Sequence, residues 1–213
     1  MIDLYYWPTA NGLKVGILAE ELGLDYRLVP VNIRTGEQQA EAFQAISANG
    51  RIPAIVDHST GLSLFESGAI LNYLAGQQQR LLPPAGSAAY HQVQQWLFWQ
   101  VGHVTPYLSQ LQLFREKAPT PIPFALDLLQ REAERLYGVL ERALAGGQYV
   151  AGEYSIADIA IFPWLQPMRQ GIALAAYPAI AAWRERIKAR PAVQRAYARG
   201  RDLAPAEKSL VVQ

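Results

Sequence analysis

Asn49-Gly50-Arg51-Ile52-Pro53-Ala54-Ile55-Val56-Asp57, followed by Leu62-Ser63-Leu64-Phe65-Glu66-Ser67-Gly68-Ala69-Ile70, is the stretch on which the fold turns. Pro53 lacks a backbone donor and suits the start of a strand, and Ala54–Asp57 reads as a short strand behind it. Asp57 to Gly61 is turn-like, and Leu62–Phe65 reads as a second strand. From Glu66 to Leu74 the spacing becomes helical.

Upstream the period also changes repeatedly. Ile2–Tyr6 is β-rich and reads as a strand, which Pro8-Thr9-Ala10-Asn11-Gly12 breaks. Apolar residues at Leu13, Ile17, Leu18 and Leu22 then keep helical spacing until Gly23. Tyr26–Ile33 alternates like a strand, and Glu37–Ile46 is a weaker helix. The order is β-α-β-α-β-β-α, which predicts a mixed sheet with helices packed on it. Downstream, Gln77 to Ser87, with its glutamines and prolines, reads as a linker. Beyond it Ala88–Leu113, Ile122–Ala145, Ser155–Gln166, Pro178–Ala189 and Pro191–Arg199 all favour helix. The expected division is 1–78 as an α/β domain, 79–87 as linker and 88–205 as an all-helical domain.

The 213 residues are 51% hydrophobic and 17% charged, an ordinary globular composition. Without cysteine the chain has neither disulfides nor a thiolate metal site, which suits a reducing cytoplasm. His58, His91 and His103 have no metal-like spacing, so no metal is expected. Net charge is +1, and the densest basic cluster, Arg184 to Arg201, alternates with apolar residues like a solvated helix face. That pattern argues against nucleic-acid binding. The start Met1-Ile2-Asp3-Leu4 has no basic segment of a signal peptide, and no apolar run approaches the roughly 20 residues that span a bilayer.

Three features of the first domain carry candidate chemistry. Thr9 and Asn11 sit at a strand-to-helix junction, where either caps a helix well. The same helix start, with its free N–H groups and positive dipole end, also suits a ligand thiolate. Ile52-Pro53 fits an ordinary trans proline at a strand start. A cis bond there would instead leave the Ile52 backbone N–H and C=O free for an extended peptide ligand. Glu66-Ser67-Gly68 opens a helix and can be read as a cap. It also suits an α-amino acid head group, with the carboxylate on Ser67 and the amine on Glu66. Further on, Ser155 and Asp158 have capping-box spacing and read as structural. Tyr5 and Tyr6 point to opposite faces of their strand, so at most one could face a ligand; a strand partly in the core accounts for both.

Pro8-Thr9-x-Asn11-Gly12, the Ile52-Pro53 junction and Phe65-Glu66-Ser67-Gly68-Ala69-Ile70, in this order, resemble the thioredoxin-like domain of glutathione transferases. They are most similar to the bacterial Nu class of glutathione-dependent disulfide-bond reductases, which also resembles the transferase-like domain of the yeast prion nitrogen regulator. Past the linker, Trp96-Leu97-Phe98-Trp99-Gln100-Val101-Gly102, Ile122-Pro123, Arg135-Leu136-Tyr137 and Tyr154-Ser155-Ile156-Ala157-Asp158-Ile159-Ala160 carry the resemblance on, so it runs from Ile2 to about Ala198.

The resemblance implies a thioredoxin-like βαβαββα domain followed by a helical bundle that supplies dimer contacts and a second-substrate pocket. It implies Thr9 and Asn11 as the catalytic pair at the thiol. Gln38, Arg51, Ile52, Glu66 and Ser67 join Asn11 in binding glutathione, with Ile52 pairing through its backbone and Arg51 meeting the glycine carboxylate. Glutathione is then a co-substrate, bound as one or two molecules or as glutathione disulfide. The partner is a small disulfide or an electrophile, and the protein is a homodimer. The implied reaction is disulfide reduction with no protein cysteine; the alternatives are conjugation of glutathione to electrophiles and a non-catalytic binding or regulatory role. Two positions depart from the class: Leu128 and Ala40 stand where relatives carry arginines. Trp7, beside Thr9, is placed to narrow the electrophile pocket or to stack on an aromatic substrate.

Overall fold

The computed structural model describes residues 1–204. In chain order it contains β1 (Ile2–Tyr6), α1 (Ala10–Leu22), β2 (Tyr26–Pro30), a 3₁₀ turn at Glu37–Gln39, α2 (Glu41–Gln44), β3 (Ala54–Asp57), β4 (Leu62–Phe65) and α3 (Ser67–Gln78). Then come α4 (Ala88–Trp99), a π-helical turn at Gln100–Val104, α5 (Thr105–Glu116), α6 (Pro123–Leu144), α7 (Ile156–Ile161), α8 (Pro167–Gln170), α9 (Pro178–Lys188) and α10 (Pro191–Leu203). By contacts the chain forms two units, Met1–Leu82 with the described residues from Lys188 onward, and Pro83–Ile187. The sequence reading places everything from 88 to 205 in one helical domain; the contacts group α10 with the α/β unit instead, and position 205 lies outside the described residues.

In the first unit the sheet order is β2-β1-β3-β4. β1 runs parallel to β2 and antiparallel to β3, and β3 runs antiparallel to β4. Helix α1 is the crossover from β1 to β2 and packs on α3 and α10. Every residue of α1 from Gly12 to Ala19 is buried. A β-carbon on Gly12 would collide with the Trp7 carbonyl oxygen, so glycine is required where the helix start presses on the end of β1. Helix α10 is held to α1 by charge. Arg190 pairs with Glu21, Arg195 and Arg199 pair with Glu20, and Arg199 lies over the Tyr26 ring. The basic cluster is therefore not simply a solvated face, and within the second unit Arg184 is itself buried against the Phe162 ring and the Leu165 carbonyl.

The weak helix expected over 37–46 is divided because Ala40 is extended (φ −62°, ψ 136°) between the 3₁₀ turn and α2. Phe43 is the one buried residue of α2, and with Val31 and Ala54 it anchors a small cluster on which Tyr5, Ile46 and Ile52 pack. The long helical pattern of 88–113 folds as α4 and α5 joined by the π turn. The helix expected over 155–166 breaks early: Pro163 sits in a 3₁₀ turn, Phe162–Trp164, after six residues of α7. Among the described residues no helix is long and apolar enough to cross a membrane.

The second unit contains two networks of hydrogen-bonded buried polar groups, around Asp158 and around Gln170. Ser155 and Asp158 form the expected capping box at the start of α7. Asp158, 0% exposed, also accepts from the Val150 N–H and from Trp183 Nε1 at 2.8 Å. Burial pushes its carboxyl up to about 6, against the pull of these donors. Tyr137 donates to the buried Gln170 amide, whose nitrogen donates to the Trp164 carbonyl.

Candidate functional site

The strand directions gather the candidate residues at one end of the first unit's sheet. β1 ends at Tyr6, and because β3 is antiparallel to it, Ala54 at the start of β3 lies opposite Tyr5. β4 turns back, so its last residue, Phe65, lies opposite Ala54. Thr9, Ile52 and Ser67 each stand within three residues of those strand ends. The topology thus brings together three segments far apart in sequence.

Thr9 is the N-cap of α1, in extended backbone, and its Oγ1 accepts the Gly12 N–H at 3.2 Å. An oxygen that accepts from the helix retains its own O–H as a donor toward whatever lies beyond the helix end. Asn11 lies in the first turn, partly exposed. The capping interpretation of Thr9 is therefore correct, and it is compatible with a role at a ligand because the cap uses only a lone pair.

The peptide bond between Ile52 and Pro53 is cis. The Ile52 side chain packs on the Val31, Phe43 and Ala54 cluster. Its backbone N–H and C=O make no hydrogen bond among the described residues, so both are available to an extended ligand. The loop ahead of it is closed by Ser47, fully buried, which donates to the Arg51 carbonyl at 2.9 Å and accepts the Arg51 N–H. Gly50 in that loop has φ +59° and approaches the Gln38 backbone carbonyl. The 3₁₀ turn carrying Gln38 is thereby set against the loop carrying Arg51. The Arg51 side chain is exposed. Gln38 Oε1 is buried without a hydrogen-bond partner among the described residues.

At the third segment Glu66 is the N-cap of α3 with φ 72° and ψ 112°, and its side chain makes no capping bond. A non-glycine residue at positive φ costs of order 1–3 kcal/mol and persists where surroundings enforce it, often at binding sites. Ser67, 8% exposed, is the first helical residue. Behind it stands a residue that sequence reasoning passed over. Lys14, 1% exposed, reaches from α1 to place Nζ 3.3 Å from Ser67 Oγ. Burial pushes its ammonium down to about 7, while the Glu66 carboxylate holds it up. The signal was present in the sequence, since Lys14 stands four residues before Leu18 on the apolar stripe of α1.

Tyr6 is buried in the core, and burial raises its phenol far above the ordinary range. Tyr5 is half-buried and packs against Phe43. The core interpretation of both tyrosines therefore holds. Ala40 and Leu128 are exposed, and Leu128 lies on α6 in the second unit. Arg131, one turn further along α6, pairs with Asp127 at 2.9 Å. His58 lies against Asp3, and His103 stacks on Tyr107.

Residues 1–76 match the family model "Glutathione S-transferase, N-terminal domain", and residues 125–191 match "Glutathione S-transferase, C-terminal domain". The disulfide-bond oxidoreductase YfcG of Escherichia coli is 48% identical over 92% of this chain and 94% of its own length. A glutathione transferase family member from Pseudomonas fluorescens, solved with two glutathione bound, is 39% identical with a TM-score of 0.87, over 92% of this chain and 91% of that one. A glutathione transferase from Pseudomonas putida, solved with one glutathione disulfide per subunit, is 38% identical with a TM-score of 0.87, over 97% and 92%. The chain therefore belongs to the glutathione S-transferase family.

Proposed function

We propose that the protein is a glutathione-dependent disulfide-bond oxidoreductase that works entirely with the thiols of its co-substrate. The observation that carries this reading is the pairing of a cysteine-free sequence with a sheet end whose free donors match a glutathione peptide. The Ile52 backbone pairs with the cysteinyl unit, as an added strand would. Ser67 at the start of α3 and Glu66 beside it receive the γ-glutamyl carboxylate and amine. Gln38 and Arg51, brought together by the Gly50 contact, flank the glycyl end. Thr9 and Asn11 then face the sulfur. The Thr9 hydroxyl donates to it, and Asn11 with the first turn of α1 adds amide donors and the positive end of the helix dipole.

In the first step a glutathione thiolate attacks the substrate disulfide. One S–S bond forms, another breaks, and the departing thiolate takes up a proton. A second glutathione thiolate then attacks the mixed disulfide, giving glutathione disulfide and the second substrate thiol. Two glutathiones are oxidised for each disulfide reduced, so the electrons balance. The protein contributes orientation and stabilisation of the attacking and leaving thiolates. The relatives solved with two glutathiones or with one glutathione disulfide support this stoichiometry. The reaction needs a reduced glutathione pool, which supports a cytoplasmic setting. Exposed Phe98, Phe124 and Leu128 support a homodimer.

The test is turnover of hydroxyethyl disulfide with glutathione, beside conjugation of a chlorodinitrobenzene-type electrophile. The reading predicts the first to dominate. Dominant conjugation would reassign the protein to electrophile transfer, and micromolar glutathione disulfide binding without turnover in either assay would reassign it to binding or regulation.

A further inference from the structure

On the reading that Glu66 and Ser67 receive the γ-glutamyl group, we propose that Lys14 is a positioning residue for that group, fixing the Ser67 hydroxyl from behind as a donor to the ligand carboxylate. The two side chains are 53 positions apart in sequence and meet only because α1 packs on α3. An ammonium has donors and no acceptor, so at a 3.3 Å contact Nζ donates and Ser67 Oγ accepts. The hydroxyl hydrogen is then directed elsewhere. Ser67 is also the first residue of α3, and its backbone N–H has no acceptor within the helix. Hydroxyl and N–H form a fork of two donors for a carboxylate, backed by a positive charge one layer deeper.

The cost of this arrangement argues for its use. An ammonium buried to 1% exposure is expensive, and methionine or leucine would fill the same space in an apolar helix face without that cost. The Glu66 carboxylate that opposes the downward shift belongs to the same amino-acid subsite. The lysine charge is thus shared with residues that face the ligand. It is not spent on a surface ion pair, where the return is small.

The test is a double-mutant cycle of Lys14→Met and Ser67→Ala. The dissociation constant for glutathione is read by calorimetry at about pH 6, where the ammonium form dominates. Steady-state kinetics on hydroxyethyl disulfide accompany it. Lys14→Met is expected to melt no lower than the parent, to weaken glutathione roughly tenfold, and to raise its KM while leaving kcat within about twofold. In the Ser67→Ala background the same change is expected to add less than about twofold. An unchanged dissociation constant in Lys14→Met overturns the proposal, as does a full additive loss in the double variant. If Ser67→Ala itself leaves glutathione affinity unchanged, the γ-glutamyl assignment falls and the proposal with it. If Ser67→Ala weakens binding and Lys14→Met does not, the proposal alone falls. Should Lys14→Met fail to fold, Lys14→Leu, which also lacks a donor, takes its place in the cycle with the same expectations.

Discussion

Two helix starts use the same residue types to opposite ends. At α7, Ser155 precedes Asp158, and the serine caps while the acid returns to the cap in a closed box. Asp158 accepts further bonds from Val150 and Trp183, so every donor around it is engaged inside the second unit. At α3 the order is reversed. The acid, Glu66, stands at the cap with a positive φ and no capping bond, and Ser67 follows as the first helical residue. One helix start is complete in itself; the other is held open, with donors available and a buried lysine behind the hydroxyl. The same two residue types thus close one helix start with a capping box and leave the other without a side-chain cap.

The largest effect that can sharpen this comparison lies at the closed start. Asp158→Ala orphans the Val150 and Ser155 N–H groups and Trp183 Nε1, all buried. At about 1–3 kcal/mol for each buried donor left without a partner, and with incomplete additivity, a loss of roughly 3 kcal/mol or more is expected in urea unfolding. Loss below about 1 kcal/mol would mean that the box is not what holds α7.

Ser67→Ala is the matching change at the open start. It is expected to cost less in unfolding than Asp158→Ala, because it takes an acceptor from one buried donor, Lys14 Nζ, rather than from three, and to weaken glutathione by roughly 1.5–3 kcal/mol, the scale of a charge-assisted hydrogen bond, read by calorimetry. Equal damage to stability and binding would erase the contrast between the two starts.

The buried lysine gives the open start a pH signature. Its ammonium titrates near 7 in the fold and near 10.5 when the chain is unfolded, so between these values the unfolded chain holds more protons. Lys14 therefore makes stability rise with pH above about 7, by at most ~1.4 kcal/mol per pH unit, and Lys14→Met removes that contribution. Parallel stability–pH curves for parent and variant would contradict the burial of a titrating ammonium. The smallest effect is expected for Glu66→Gly. Relief of the positive φ is expected to raise stability by roughly 1 kcal/mol or less while glutathione binding falls. A stability loss would show that Glu66 is not strained.

Much of this was legible in the sequence, for identifiable reasons. The strands at Ile2–Tyr6, Ala54–Asp57 and Leu62–Phe65 were read at their observed bounds because turn residues or proline flank each one. The capping box was legible because both partners lie within one turn. What escaped depended on contacts between segments far apart in the chain. Helix α10 reads as one more helix of the second domain until Glu20 and Glu21 are seen to hold its arginines. Lys14 is out of place on the apolar stripe of α1, but what it touches is visible only once α3 is laid over it. Ser47 carries no local signal at all, although its hydroxyl closes the loop that presents Ile52. The candidate residues Thr9, Ile52 and Ser67 were each ambiguous alone, and the antiparallel pairings of β3 supply the shared location that one-dimensional reading lacks.

On the proposed reading the reactive sulfur arrives on a ligand held by its γ-glutamyl group at the open helix start. Replacing glutathione with cysteinylglycine, which keeps the thiol and the glycine but lacks that group, tests it most directly in the hydroxyethyl disulfide assay. The account predicts saturable turnover with glutathione and a loss of kcat/KM of roughly a hundredfold or more with cysteinylglycine, on the scale of two charge-assisted contacts. Equal turnover with the two thiols would contradict it.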